Sequence, residues 1–541
     1  MKPNSLQISP NLLPPIIALY FLVVINLPIA QELFRILTGL EAVKIGFVIS
    51  IPLFLFAAFQ LIFQLLNWPK VAKPIIAFLL ISSSMVSYAM LSYGVYVDYG
   101  MIENLFETNQ EEAASYLSLR SIIWVGMMGF IPALLLFLTR LTKTTWRKFL
   151  LAKLAGILGS VLLAAVIAVL YYQDYVSVVR NSPHLKKMII PTEYLISTTK
   201  YLNNTYLKSP VPYQQIGLDA RLKPEAKDAS KPTLLVFVLG ETARVFNYAY
   251  YGYERDTNVH TRPYDPIFFA DVQSCGTATA VSVPCMFSNM NRPEYSKSRA
   301  YNQDNVVDIM ARAGIQALWR EHDGGDKGVA HTIREKTLVP HDADHLCNQQ
   351  KCYDTAMLED FADDTTNLTQ DSVLFYHISG SHGPTYYKRY PKAHRAFTPD
   401  CPRSDIENCT HEELVNSYDN TILFTDFFLA EAIRQLKALQ DQYHVALLYI
   451  SDHGESLGEN GVYLHGMPYA LAPKEQTQVP MLFWASPGFA GQKGLDLDCL
   501  RQRGSEDAFS HDNLFDSLLG LMDVATEAYS PSQDIFALCR E

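Results

Sequence analysis

The sequence predicts a helical membrane domain of five spans followed by an α/β domain with a mostly parallel sheet. Three observations lead to this fold class. The chain has 541 residues, more than one ordinary core accommodates, so two or more domains are expected. Its first third is apolar, with runs long enough to cross a bilayer, and the rest is polar. In the polar part, short apolar runs typical of buried strands alternate with helical patterns.

Five apolar runs predict the membrane spans. At 1.5 Å of rise per residue, each run is about long enough to cross roughly 30 Å of hydrocarbon as a helix. The alternative for the first run is a cleaved signal peptide, but it lacks a strongly charged start and an A-x-A-like cleavage site. The runs cover roughly residues 12–30, 45–66, 74–97, 122–138 and 154–172.

Charges in the connections predict the orientation of the spans. Basic loops resist translocation; the 140–153 connection carries Lys and Arg, and the one near Trp68 carries Lys70 and Lys73. The loop 98–120 is acidic with a single base, Arg120, and is expected to face outward. With an odd number of spans and Lys2 inside, everything after Tyr172 is expected outside the cytoplasm.

The predicted domains follow from these patterns. They are a transmembrane domain of five helices with a cytoplasmic N-terminus (1–173), a polar, proline-containing linker with helices on the membrane surface (174–231) and the α/β domain (232–541).

The cysteines give an independent indication of compartment. All eight lie in the polar part, and several form close pairs, which indicates disulfides in an oxidising environment. Paired cysteines can also bind zinc, but the gaps vary and no C-x-x-C occurs. The sequence leaves the connectivity open. One scheme that pairs every cysteine joins neighbours along the chain and then Cys499 with Cys539. The cysteines are Cys275, Cys285, Cys347, Cys352, Cys401, Cys409, Cys499 and Cys539.

Three continuous apolar runs, 234–239, 372–378 and 445–450, predict strands that are buried on both faces of a parallel sheet. Each run is followed by Gly or Ser, and helical patterns at 305–313 and 412–439 separate them. This alternation is typical of a doubly wound α/β domain. In such domains ligands bind beyond the carboxyl ends of the strands.

Carboxylates and imidazoles follow these strand ends. Glu241 comes after the first strand, His382 after the second, and Asp452 and His453 after the third, while His465 closes the loop SDHGESLGENGVYLHG. Zn²⁺ and Mn²⁺ prefer such ligands. One strand-end Asp or His is more often a cap or a hydrogen-bonded loop residue. Five of them around three strand ends predict a metal site.

The segment SCGTATAVSVPC, between two cysteines, supplies hydroxyls at Thr277, Thr279 and Ser282. A hydroxyl coordinated to a divalent cation becomes a useful nucleophile, so one of these threonines is the candidate nucleophile. The alternative is a Thr-rich strand or helix start, where such residues are favoured as caps. Spacing alone does not separate the two interpretations.

These motifs resemble those of the lipid A phosphoethanolamine transferases, membrane members of the alkaline phosphatase superfamily that include transferable polymyxin-resistance enzymes. The resemblance spans nearly the whole chain and implies an alkaline phosphatase/sulfatase-like fold for the α/β domain. The motifs that carry it are GETAR (240–244), SCGTATA (274–280), VPCMFS (283–288), SHGP (381–384) and SDHGESLGEN (451–460).

The resemblance implies a role for each matching residue. It makes Thr279 the nucleophile that accepts phosphoethanolamine and, together with Glu241, Asp452 and His453, a ligand of one tightly bound zinc. Two histidines match positions that bind a second zinc or the substrate phosphate: His382 and His465.

The implied substrate contacts fall in two regions. In the outward loop, the i, i+4, i+8 spacing of Asn104, Thr108 and Glu112 would place them on one helical face. The alternative is that this face is acidic and solvated, without specific contacts. The segment EHDGG before Lys327 is a variable version of the family's Asn- and Asp-rich loop, so contacts there are open. The implied substrate-binding residues are Asn104, Thr108, Glu112, Thr277, Lys327 and Glu455.

The implied activity is the transfer of phosphoethanolamine from phosphatidylethanolamine to a phosphate of lipid A through a covalent threonine intermediate. Diacylglycerol would leave, and the lower negative surface charge would give polymyxin resistance. The implied location is the bacterial inner membrane, multi-pass, with the catalytic domain (232–541) in the periplasm. The partners are then the two lipids, and no nucleic acid is expected.

Three alternatives belong to other classes. A phosphoglycerol transferase or a phosphatase of the same superfamily would keep the metal ligands and change the donor or acceptor. A non-catalytic metal-binding membrane sensor would need no nucleophile. A sulfatase would need a C-x-P-x-R-like segment for formylglycine, which the segments at Cys275 and Cys285 do not supply.

Overall fold

The structure is a computed structural model of the chain, and its described residues form two compact units, Met1–Ser209 and Pro210–Glu541. The boundaries of the domains predicted above stay predictions. The structure describes residues 7–39, 43–94, 96–99, 101–102, 119–207, 211–224, 231–339, 346–348, 351–403, 406, 409–459, 462–467 and 469–540.

The described part of the first unit is helical. A π turn, Gly126–Phe130, joins two of its helices into one span, Leu119–Leu138. Among the described helices, four spans are long and apolar enough to cross a membrane, and a bent pair gives up to five. The predicted helical membrane domain is therefore confirmed. The helices are α1 Leu13–Tyr20, α2 Leu27–Thr38, α3 Ile45–Leu66, α4 Ala72–Tyr93, α5 Leu119–Val125, α6 Ile131–Leu138, α7 Trp146–Asn181 and α8 Thr192–Leu202.

The first predicted span is the bent pair. α1 continues through a π turn, Phe21–Ile25, and α2 leaves at an angle of 60°. The Asn26 side-chain amide donates hydrogen bonds to the carbonyl oxygens of Phe21 (3.0 Å) and Ile190 (2.7 Å). Pro28, in the first turn of α2, lacks only an N–H that the helix would leave unpaired. The continuous run 12–30 is thus a helix broken at Asn26, because the Asn26 amide bonds carbonyl oxygens at the break and Pro28 needs no N–H partner there.

The second unit is built on a seven-stranded sheet with the order β2-β7-β6-β1-β5-β3-β4. The five strands from β6 to β4 run parallel, and β7 and β2 pair antiparallel at one edge. The predicted mostly parallel α/β fold is confirmed. The strands are β1 Thr233–Gly240, β2 Ile267–Phe268, β3 Gln316–Glu321, β4 Arg334–Thr337, β5 Ser372–His377, β6 His444–Ser451 and β7 Met481–Ala485.

Helices separate the strands, as the sequence predicted. The two predicted helices and three predicted strands agree with the structure within one residue at each end. α13 begins at a capping box, in which the Thr410 hydroxyl accepts from Glu413 N and the Glu413 carboxylate accepts from Thr410 N. The helices are α9 Thr279–Met286, α10 Lys297–Ala300, α11 Val306–Arg312, α12 Phe361–Thr365, α13 His411–Ala438, α14 Lys474–Thr477, α15 Pro487–Lys493, α16 Leu497–Glu506 and α17 Leu514–Leu521.

The strand register aligns the carboxyl ends of the central strands. Gly240 of β1 pairs with Ser451 of β6, and Leu239 pairs with His377 of β5. His377 in turn pairs with Glu321, the last residue of β3. Side chains that follow these residues therefore meet at one edge of the sheet.

Four disulfides lie in the second unit, so the predicted disulfides are confirmed. The bond between Cys275 and Cys285 closes the segment that contains Thr279. The pairs are Cys275–Cys285, Cys347–Cys352, Cys401–Cys409 and Cys499–Cys539.

Aromatic side chains fill the core beneath the carboxyl edge. Phe375 is fully buried and stacks on Trp319 with ring centroids 5.5 Å apart, and it also contacts Phe237 at 5.6 Å. Truncation at Phe375 removes these contacts and leaves a cavity that the neighbouring strands cannot close.

We therefore expect Phe375→Ala to lower the free energy of unfolding by about 3–5 kcal/mol, measured by chemical denaturation of the full-length protein. The matched control is Phe246→Ala, because Phe246 is 40% exposed and should lose much less. Equal losses for the two variants would contradict this description of the core.

Candidate metal centre and active site

Three predicted metal ligands meet at the carboxyl edge of β1 and β6. Glu241 follows β1, and Asp452 and His453 follow β6; all three side chains are fully buried. His453 Nε2 lies 3.4 Å from both Glu241 Oε1 and Asp452 Oδ2. One ligand atom from each residue lies within 4.8 Å of the other two. The three side chains can therefore share one ion.

Thr279 joins this group through its hydroxyl. It is the first residue of α9 and is partly exposed. Its Oγ1 donates a hydrogen bond to Glu241 Oε2 at 3.0 Å and lies 3.4 Å from His453 Nε2. The hydroxyl oxygen thus lies beside the proposed ligands, on a residue that is only partly buried.

Hydrogen bonds orient His453 and Asp452 toward a common point. His453 Nδ1 donates to Gly454 O (3.0 Å), which leaves the Nε2 lone pair facing the carboxylates. Asp452 Oδ1 accepts from the backbone N–H groups of Thr242 (3.1 Å) and His453 (2.7 Å), whereas the buried Oδ2 has no hydrogen-bond partner among the described residues. An orphaned buried carboxylate oxygen next to an imidazole lone pair fits a metal site.

Within this group, the pKa of each side chain is set by burial and by the charges of the other two. Burial alone lowers the pKa of the His453 imidazole, but the carboxylates of Asp452 and Glu241 outweigh burial and raise it to about 10. Burial and the Glu241 carboxylate raise the pKa of Asp452 to about 7. Burial also opposes the charged form of Glu241, yet the adjacent His453 lowers its pKa well below the usual value. Buried carboxylates here need a positive partner, which a proton on His453 or a cation supplies.

The other two predicted histidines lie next to this group. The ring centroids of His453 and His465 are 4.4 Å apart, and those of His465 and His382 are 5.8 Å apart. His465 Nδ1 lies 3.2 Å from Glu455 Oε2, and His382 Nδ1 accepts from Arg389 Nη2 at 3.1 Å. Burial lowers the pKa of His382 to about 4, so its imidazole is neutral at neutral pH and can bind a cation.

Of the remaining predicted substrate contacts, two bond to the backbone and three lie outside the described residues. Thr277 Oγ1 donates to Met467 O at 2.6 Å, so its hydroxyl is engaged with the backbone. Lys327 has a positive φ of 53°, and its amine donates to the carbonyl oxygens of Gly324 (2.8 Å) and Asp323 (3.4 Å). Three predicted contacts lie outside the described residues: Asn104, Thr108 and Glu112.

Known families match both parts of the chain. A family model described as "Phosphoethanolamine transferase EptA/EptB" matches residues 55–206, and one described as "Sulfatase" matches residues 233–524. Among curated proteins, phosphoethanolamine transferase EptA of Escherichia coli K12 is 36% identical over 524 residues, covering 97% of this chain and 96% of that protein. Phosphatidylethanolamine transferase Mcr-1 of Escherichia coli is 36% identical over 534 residues, covering 96% of each.

A solved structure agrees with these matches. The integral membrane lipooligosaccharide phosphoethanolamine transferase A of Neisseria meningitidis is 35% identical, with a TM-score of 0.66, and the match covers 99% of this chain and 100% of that one. The chain belongs to the phosphoethanolamine transferase family. The resemblance noted in the sequence and the sulfatase-like fold of the α/β domain are thereby confirmed.

Sequence reasoning missed two residues at the centre of this phosphoethanolamine transferase. Asp323, just after β3, and His377, the last residue of β5, form a second group with Glu241 whose ligand atoms lie within 4.8 Å of one another. His377 was hidden inside a predicted apolar strand, and β3 (QALWRE) is not a continuous apolar run. The signal that could have found Asp323 is its place in the segment EHDGG before Lys327, where the sequence left the contacts open.

His511 is a third residue that the sequence did not reveal. It is fully buried, its Nδ1 accepts from Cys275 N (3.1 Å), and its Nε2 donates to Ser451 O (2.9 Å). It therefore connects the segment between Cys275 and Cys285 to the loop that carries Asp452.

Burial lowers the pKa of His511 to about 4, below the ordinary value of 6.5. Between these values the unfolded chain binds a proton that the folded chain does not, so stability falls as the pH drops from 6.5 toward 4. We expect His511→Gln to reduce the loss of unfolding free energy between pH 7.5 and pH 5 by roughly 2 kcal/mol, measured by chemical denaturation at each pH. Between pH 7.5 and 8.5 the two proteins should change in parallel, and an unaltered loss at pH 5 would contradict the assignment.

Metal binding should stabilise the folded protein through the first group of ligands. After chelation, Zn²⁺ at about 100 times its dissociation constant should restore about 2.7 kcal/mol and raise the unfolding temperature. Asp452→Asn should remove most of this response because it removes a ligand charge. The exposed Asp498→Asn is the matched control and should keep the full response; identical responses of both variants would exclude Asp452 as a ligand.

Proposed function

We propose that this protein transfers phosphoethanolamine from phosphatidylethanolamine to a phosphate group of lipid A, with Thr279 as the covalent nucleophile. One observation carries the proposal: Thr279 Oγ1 lies 3.0 Å from Glu241 and 3.4 Å from His453. The neighbouring hydroxyls are less suited, because the Thr277 hydroxyl donates to the backbone and Ser282 is fully buried. Relatives named as phosphoethanolamine transferases support the transferred group.

The donor set of Glu241, Thr279, Asp452 and His453 fits a tightly bound Zn²⁺. Two carboxylates, one imidazole and one hydroxyl are ligands that this ion accepts, and the unpartnered Asp452 Oδ2 is directed at the same group. When bound, zinc would lower the pKa of the hydroxyl and stabilise negative charge on the phosphoryl oxygens. His382 and His465 are proposed to hold a second zinc or the substrate phosphate.

In the first half of the reaction, Thr279 Oγ1 attacks the phosphorus of phosphatidylethanolamine. The hydroxyl proton passes to Glu241, which already accepts its hydrogen bond. The bond from phosphorus to the glycerol oxygen breaks. When the histidine pair holds the substrate phosphate rather than a second zinc, diacylglycerol leaves with a proton supplied by His465, which Glu455 holds in place. A phosphoethanolamine ester of Thr279 results.

In the second half, an oxygen of the lipid A phosphate attacks the same phosphorus and gives its proton to His465. The bond from phosphorus to Thr279 Oγ1 breaks, and the threonine recovers its proton from Glu241. The N–H groups of Thr279 and Ala280 begin α9 and have no acceptor within the helix, whereas that of Val281 already donates to Ala278 O, so the first two can bind the phosphoryl oxygens in both halves. Fixed donors of this kind stabilise the charge that phosphoryl transfer develops.

The membrane part is proposed to confine the reaction to a lipid surface. Both substrates are amphiphiles whose reactive heads lie at the outer face of a membrane, and a domain tethered by spans meets them without extracting them into water. We place the protein in the bacterial inner membrane with its catalytic domain (232–541) in the periplasm. Asn104, Thr108 and Glu112 are the proposed contacts of the ethanolamine group.

The product explains the proposed physiological effect. Each transfer adds an amine next to a lipid A phosphate and so offsets negative surface charge. Cationic peptides such as polymyxins should then bind the modified surface less strongly.

Mass spectrometry of lipid A from cells that express the protein tests the proposal. Wild type should add one phosphoethanolamine, and Thr279→Ala should reduce the addition by at least about 10³-fold because the nucleophile is lost. Thr279→Ser is the matched control, since it keeps a hydroxyl and should retain measurable transfer. Circular dichroism should show the same fold for all three proteins.

Two outcomes would contradict the proposal. Undiminished transfer by Thr279→Ala would exclude the covalent threonine. Added phosphoglycerol, or loss of phosphate from lipid A, would instead identify a phosphoglycerol transferase or a phosphatase of the same superfamily.

A further inference from the structure

Glu241 faces a second group of potential ligands on the opposite side from Asp452 and His453. In the sheet, β1 lies between β6 and β5, and β5 is followed by β3. The proposed zinc ligands come from the β6 side, whereas His377 ends β5 and Asp323 follows β3. Ligand atoms of Glu241, Asp323 and His377 all lie within 4.8 Å of one another.

The His377 imidazole is arranged like a metal ligand. Its side chain is fully buried, and its Nδ1 lies 2.8 Å from Glu321 Oε2. Glu321 also accepts hydrogen bonds from Trp319 Nε1 (2.9 Å) and Asp323 N (2.5 Å), so it acts as an acceptor and the His377 proton is on Nδ1. A carboxylate that fixes one imidazole nitrogen in this way leaves the other as a lone pair for a metal.

That other nitrogen, His377 Nε2, has no hydrogen-bond partner among the described residues although it is buried. Asp323 Oδ2 lies 3.8 Å away, which is too far for a hydrogen bond but suits two atoms that share an ion. A buried lone pair that no protein donor satisfies costs free energy, so its orientation toward two carboxylates points to a missing positive partner.

The charge balance of the group points the same way. Glu241 and Asp323 are both carboxylates, and the Asp323 side chain is only 10% exposed. Across the described part of the chain, no Lys or Arg lies within ion-pair distance of the Asp323 carboxylate, and the amine of Lys327 donates to backbone oxygens instead. Two largely buried carboxylates with no Lys or Arg partner among the described residues are costly to ionise without a cation.

We propose that Glu241, Asp323 and His377 bind a second divalent cation of the Zn²⁺ type, with Glu241 shared between the two ions. One imidazole and two carboxylates are ligands that Zn²⁺ accepts. This site goes beyond the proposed function, because it uses neither Thr279 nor the histidine pair His382 and His465. Its ion would fix the Glu241 carboxylate that accepts the Thr279 proton.

Counting bound metal in the full-length, detergent-solubilised protein tests the site. The starting protein carries His382→Ala and His465→Ala, so that an ion at the histidine pair does not enter the count. After chelation, reloading with Zn²⁺ and removal of free metal, elemental analysis should give two Zn²⁺ per chain. Asp323→Asn and His377→Gln should each lower the count to one, His453→Gln should remove the other ion, and Glu241→Gln should weaken both.

Asp326→Asn is the matched control, because Asp326 lies on the same loop as Asp323 but bonds the backbone N–H groups of Gly328 and Ala330. It should keep two ions. A Co²⁺ titration followed by visible absorption gives a second readout on the starting protein, which retains both proposed sites: two equivalents are expected before saturation. A single equivalent, or a single Zn²⁺ that His453→Gln removes and Asp323→Asn leaves in place, would overturn the proposal.

The metal count also separates this inference from the proposed function. Two ions in the starting protein, with no phosphoethanolamine transfer by the wild-type protein, would support the site and refute the proposed transfer to lipid A. Transfer by the wild-type protein, with a single Zn²⁺ in the starting protein, would refute the site and leave the proposed function intact.

Discussion

The burial of one carboxylate, Glu241, is the constraint on which the rest of the site depends. It follows β1, the central strand, and is fully enclosed. A buried charge must be paired, and the register of the parallel strands supplies partners on both sides: His453 beyond β6, and His377 at the end of β5. The same carboxylate accepts the Thr279 hydrogen bond. Its position therefore decides both where a cation can bind and which hydroxyl is beside that cation.

The backbone around Glu241 is shaped to keep it there. Thr242 has a positive φ of 60°, and its N–H donates to Asp452 Oδ1 at 3.1 Å. Gly380 also has a positive φ, and a Cβ at that position would lie 2.8 Å from the Glu241 carbonyl oxygen. A side chain at 380 would thus push apart the chain segments that follow β1 and β5, so glycine is required there. Strain of this kind is typical of sites where function sets the geometry.

Much of the fold could be predicted from the sequence, because strands β1, β5 and β6 are continuous apolar runs buried on both faces. Ligands directly after predicted strands, such as Glu241 and Asp452, could be predicted with them. Other parts could not. β3 carries Arg320 and Glu321 among its apolar residues, so its pattern does not indicate a buried strand, and the group at Asp323 was missed with it. The choice among hydroxyls in the Cys275–Cys285 segment needed the tertiary structure, since their spacing is equally compatible with a helix start.

The central claim is that Glu241, Thr279, Asp452 and His453 bind one zinc. X-ray diffraction at the zinc absorption edge, from crystals of the protein grown with Zn²⁺, tests it most directly. We expect an anomalous peak at about 2.0–2.2 Å from the Thr279 hydroxyl, the two carboxylates and His453 Nε2. No zinc peak beside Thr279, Asp452 and His453, whether or not an ion binds at Asp323 and His377, would contradict the account.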